Sequence, residues 1–191
     1  IPHPAVKLVA TCANALLHTL ALFHPNETVE NMGDRALHAA EQGITTDKFE
    51  NFDDYMNALR NFELNPDLKE KFGPAEKLVA GLGIATLGIE DKFKFEAGSL
   101  NDLWLLPLTN SEYFTPERID SLLAHGKTIG DVSAYLEKRM NADEAREFKS
   151  QYEFTSEGKP MNDSELGKLY DAFDNARTEW AKLEQQVKTQ D

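Results

Sequence analysis

Apolar residues crowd the segment between Pro4 and Pro25. Val6, Leu8, Val9, Cys12, Leu16, Leu17, Leu20, Leu22 and Phe23 point in nearly every direction of a helix, and no Asp, Glu, Lys or Arg follows Lys7 before Glu27. A helix that is apolar all round is ordinarily buried all round. Pro4 suits a first helical turn and Pro25 a stop, so the pattern predicts a central buried helix over Ala5 to His24. The run is close to the roughly 20 residues that a membrane span needs. Thr11, Asn14, His18 and Thr19 dilute it, however, and favour a core helix over a span or a removable leader.

The rest of the chain reads as helix after helix. Asn26 is a candidate cap for a helix through Gln42, with Val29, Met32, Ala36, Leu37 and Ala40 as its stripe and Gly43 as its end. Thr45 or Thr46 opens a segment whose Phe49, Phe52, Tyr55, Met56, Leu59 and Phe62 share one aromatic-rich face. Asn65-Pro66 starts a short helix over Asp67 to Phe72. Pro74 opens the next, where Gly81, Gly83 and Gly88 either weaken the helix or mark close packing. Residues 89–98 read as an irregular link, with Lys92-Phe93-Lys94-Phe95 as an extended connector or hairpin arm. Ser99 caps a short segment ending near Pro107. Thr115-Pro116 is a helix start with Gly126 as its stop, Thr128 opens a helix reaching Met140, and a polar helix covers Asp143 to Phe154.

The last segment is the most regular. Leu166, Leu169, Phe173, Ala176, Trp180, Leu183 and Val187 alternate spacings of three and four, a coiled-coil-type seam. Aromatics as large as Phe173 and Trp180 fit a groove between helices better than a two-stranded coiled coil. The expectation is therefore intramolecular docking from Leu166 to Trp180, with a freer end beyond Leu183. Phe173, Trp180, Leu183 and Val187 are the candidate interaction positions. Together these segments predict an all-α, irregular multi-helix bundle of about seven to nine helices around the buried N-terminal helix, with a long C-terminal helix. It forms one domain over 1–191, divisible into lobes 1–90 and 99–191 joined near 89–98.

Composition narrows the function. Among 191 residues, 41% are hydrophobic and 28% charged, with a net charge of −13. That balance is globular and argues against phosphate-backbone binding, which needs a basic face, and against anionic membrane surfaces. It predicts neither a nucleic-acid nor a membrane partner. Cys12 is the single cysteine, so no internal disulfide forms. A reducing, cytoplasmic setting is the easier reading, with a secreted effector as the alternative. The chain begins at Ile1 rather than Met, which fits a processed protein or an excised domain.

Most chemical motifs fail on their spacing. Gly126-Lys127-Thr128 resembles the tail of a phosphate-binding loop, but Ser121 stands where the first glycine belongs. Gly81-Leu82-Gly83 lacks a dinucleotide fingerprint's third glycine, Thr86 holding that place. Asp53-Asp54 opens like an aspartate-rich metal motif, but Asn57 stands where a third acid is needed. The histidines show no zinc-type spacing, and His18 reads as a hydrogen-bonded core histidine ahead of a haem or metal ligand. One constellation survives. Glu27-x-x-Glu30 and Glu50-x-x-Asp53 place two acid pairs at i and i+3 on what read as successive helices, where four carboxylates would gather around a hard cation such as Mg²⁺. Over residues 27–53 the pattern resembles all-α nucleoside triphosphate pyrophosphohydrolases of the MazG and dimeric dUTPase type. That resemblance implies Mg²⁺ held by Glu27, Glu30, Glu50 and Asp53 and attack of water on a nucleotide phosphate.

The reading favoured by the sequence as a whole is different: a non-catalytic helical protein–protein interaction or regulatory module with a protein partner and no cofactor, part of a larger chain or assembly. The Mg²⁺-dependent pyrophosphohydrolase and a secreted bacterial effector domain acting on host proteins are the alternatives.

Overall fold

Capping chemistry sets where most helices begin in the computed structural model, which describes residues 4–125 and 128–190. Among the described residues there are nine α-helices and no strand, so the fold is all-α. No described helix is long and apolar enough to cross a membrane. The chain divides into two compact units, residues 1–98 and 99–191.

The first unit holds α1 (Pro4–Thr19), α2 (Val29–Glu41), α3 (Phe52–Asn61) and α4 (Pro74–Phe93). α1 is buried on one side rather than all round. Val9, Cys12, Ala13, Leu16 and Leu17 are covered, whereas Leu8, Thr11, Ala15, His18 and Thr19 are exposed. It also stops before Pro25. Ala21 adopts a left-handed φ of 58°, and the N–H groups of Leu22 and Phe23 both donate to the Leu17 carbonyl. The more enclosed helix is α4, which packs against α1, α2 and α3 and buries Ile84, Ala85, Thr86, Gly88, Ile89 and Glu90 in succession.

The α2–α4 crossing explains two glycines. A Cβ on Gly33 would lie 1.8 Å from the Lys77 carbonyl oxygen, and one on Gly81 would lie 1.7 Å from that of Val29. Only residues without a Cβ let the two backbones approach this closely.

Several boundaries differ from the sequence expectation. Helix α2 is capped by Thr28, not Asn26. The Thr28 hydroxyl accepts the Asn31 N–H while the Asn31 side chain accepts the Thr28 N–H, a reciprocal box. Asn14 of α1 adds a bond from the Val29 N–H at 2.8 Å. The aromatic segment breaks in two, a 3-10 turn at Thr46–Lys48 and then α3, because Asn51 caps α3 by accepting the Asp54 N–H. The short helix expected over 67–72 is a 3-10 turn at Pro66–Leu68. The expected link at 89–98 is helical as far as Phe93, so Lys92 and Phe93 are not an extended arm.

The second unit holds α5 (Leu105–Thr109), α6 (Pro116–Ala124), α7 (Val132–Leu136), α8 (Ala142–Ser150) and α9 (Asp163–Gln190). Thr115 caps α6 ahead of Pro116 as expected, while the proposed stop at Gly126 lies outside the described residues. The helix expected from Thr128 to Met140 shrinks to α7. Asp131 caps it through the Ala134 N–H, and Lys138 turns out of it at φ 60°. Helix α9 is the long C-terminal helix that the seam predicts.

Candidate functional site

The four acids proposed as metal ligands do not share two helix faces. The Thr28 cap leaves Glu27 outside α2, and the Asn51 cap leaves Glu50 outside α3. Glu30 and Asp53, in the first turns of those helices, are exposed, as is Glu50. Glu27 is buried and committed elsewhere. Arg60 grips its carboxylate with Nε on Oε2 at 2.9 Å and Nη2 on Oε1 at 3.0 Å, and the His24 N–H donates to Oε1 at 2.7 Å. Burial pushes the Glu27 carboxyl up, but the bonds from Arg60 and the His24 N–H outweigh it and hold the group below its ordinary 4.5. Arg60 also donates to the Leu22 carbonyl, so the pair ties the turn after α1 to the end of α3. Among the described residues no three His, Cys, Asp or Glu side chains are grouped to hold a metal ion, so the quartet is not assembled as one site.

His18 is hydrogen-bonded as expected, but it is exposed rather than a core residue. Its Nε2 lies 2.7 Å from the Glu27 carbonyl oxygen, which fixes that nitrogen as a donor. Cys12, the single cysteine, is buried.

The first unit nevertheless contains a cleft of about 360 Å³. One set of lining residues comes from the stretch that the sequence marked as aromatic: Thr46, Phe49, Glu50, Asn51, Phe52 and Tyr55. The other comes from the end of α4 and beyond it: Leu87, Glu90, Asp91, Phe95 and Ala97. The Phe49 and Tyr55 rings meet edge to face with centroids 5.8 Å apart. The Phe52 ring lies on Gly88, where a Cβ would come within 2.8 Å of Cζ. Phe95 reaches the cleft because Lys94 is left-handed, with φ 63° and ψ 37°. Its own N–H and that of Phe95 both donate to the Glu90 carbonyl, folding the chain back beside α4. Glu90 is 3% exposed, whereas Glu50 and Asp91 are open to solvent. Burial pushes the Tyr55 phenol above its usual range.

The sequence carries no motif that marks Glu90, Asp91, Phe95 or Arg60 as site residues. The signal for Phe95 was hidden by a Lys-Phe-Lys-Phe alternation that reads as extended chain. For Arg60 the only signal was its place on the polar side of α3.

In the second unit the α9 seam divides. Leu169, Phe173 and Ala176 are fully covered. The Phe173 ring sits among Phe114, Tyr135, Phe148 and Tyr152, with centroids at 5.4, 5.3, 5.4 and 5.0 Å. Tyr152 donates to the Ile129 carbonyl at 2.6 Å, and burial pushes its phenol far above the tyrosine range. Arg177 ends this region. Its Nε donates to the Tyr135 carbonyl at 2.8 Å and its guanidinium lies 3.7 Å from the Tyr135 ring centroid. Phe173 is thus a core residue rather than an interaction position. Beyond it Trp180 and Leu183 are half-buried and Val187 is 61% exposed. The Trp180 indole N–H is shielded and has no hydrogen-bond partner among the described residues.

Comparison of the chain with protein-family models, with curated proteins and with solved structures finds no match, so its reading rests on residues and geometry.

Proposed function

We propose that the protein is a non-catalytic helical interaction module whose partner surface is the distal part of α9: Trp180, Leu183 and Val187. The observation that carries this reading is the division of one continuous seam. Its first half is consumed by the core around Phe173, while its second half keeps the same three-four spacing and ends with Val187 61% exposed. A regular apolar stripe on a helix surface marks a docking face for another helix. Trp180 supports this as the last large aromatic of the seam, half-buried and with its shielded indole N–H lacking an acceptor among the described residues, an arrangement that costs about 1–3 kcal/mol. The flanking Glu179, Lys182, Glu184 and Lys188 carry both signs, which suits pairing with a second mixed-charge amphipathic helix.

The test places a photoreactive residue at position 187 in cells that make the protein. One discrete cross-linked protein is expected, and it is lost when Leu183→Asp is added, with the unfolding midpoint of the purified protein unchanged. A cross-link indifferent to Leu183→Asp, no discrete product, or a stability loss of core-leucine size would overturn the reading.

A further inference from the structure

We infer that the cleft in the first unit binds a small organic cation with a substituted ammonium head. Phe49, Phe52, Tyr55 and Phe95 bring four rings to a space of about 360 Å³, within the size range of small-molecule sites. The acidic residues Glu50, Glu90 and Asp91 line the same space. No lysine, arginine or histidine is among the described lining residues, so the lining offers an anion no cationic side chain.

A bare metal ion is also a poor fit. Mg²⁺ demands near-ideal octahedral oxygen ligation, and among the described residues no three acidic or histidine side chains are grouped for it. An alkylated ammonium spreads its charge over carbon, tolerates desolvation against apolar walls and is attracted by ring quadrupoles. Aromatic rings with acidic groups between them are the surface that such a head requires. Glu90, 3% exposed on the buried half of α4, is the enclosed acid of the lining and the residue assigned to specificity. Phe95 is held beside it by the left-handed turn at Lys94.

The test is calorimetric titration of the purified chain with choline, with its neutral isostere dimethylbutanol as control and a peptide bearing trimethyl-lysine as a second arm. Saturable one-to-one choline binding is expected, with the alcohol at least about tenfold weaker. Phe49→Ala and Glu90→Gln should each weaken choline about tenfold or more. Glu50→Gln and Asp91→Asn, both at exposed positions where folding is not at stake, should weaken it by a smaller factor. Tighter binding of the peptide than of choline would identify the source as a modified side chain, and the reverse a free metabolite; both support the inference. Absence of saturation, equal binding of the alcohol, or unchanged affinity in Glu50→Gln and Asp91→Asn together would overturn it.

Discussion

The first half of α9 and its last turns carry the same sequence pattern and meet different fates. Leu169, Phe173 and Ala176 vanish into an aromatic core, while Trp180, Leu183 and Val187 emerge step by step into solvent. Nothing in the three-four spacing changes between them. What changes is the supply of partners. Four rings from α7, α8 and the loops before α6 and after α8 converge on Phe173, and Arg177 closes that region against Tyr135. Periodicity therefore identifies the face of a helix that seeks cover. Only the fold decides whether the chain itself supplies that cover.

The contrast breaks most visibly at Phe173. Phe173→Ala should cost about 3–5 kcal/mol in a denaturant titration, as an emptied aromatic site does; a cost near that of Val187→Ser would erase the distinction. Glu27→Gln sharpens it by supplying a lock of another kind, charged rather than apolar, and should cost about 2–3 kcal/mol. Its sign with pH is fixed. The Glu27 carboxyl is held below its ordinary 4.5, so its contribution is complete above that value and is lost as pH falls through the lower folded value. The gap between wild type and Glu27→Gln should accordingly close on acidification, whereas that for Phe173→Ala should not follow Glu27. Arg177→Ala, at the border between the two halves, should cost about 1–2 kcal/mol, read from the same curves. Val187→Ser should stay within about 0.5 kcal/mol of wild type.

Local chemistry was legible in the sequence. Pro74, Thr115-Pro116 and the α9 seam announced themselves because a cap or a long period needs no knowledge of distant residues. The differences from expectation have both local and tertiary causes. Asn26 and Thr28 both offer cap chemistry, and the reciprocal bond with Asn31 decided for Thr28. That shift of two residues took Glu27 off the helix and gave it to Arg60, thirty-three residues away, dissolving the expected acid quartet. The N-terminal segment looks apolar on all sides because its exposed stripe after Lys7 consists of Leu8, Thr11, Ala15, His18 and Thr19, with no Asp, Glu, Lys or Arg. The cleft escaped notice because it depends on the left-handed turn at Lys94 and on Phe52 seating over Gly88. Both are tertiary facts.

The division of α9 is tested most directly by amide hydrogen exchange read residue by residue along the helix. The account predicts protection close to the global unfolding limit from Leu169 to Arg177, a steep fall across Trp180, and exchange by local fraying from Leu183 onward. Uniform protection to the end of the helix, or weak protection at Phe173, would contradict it.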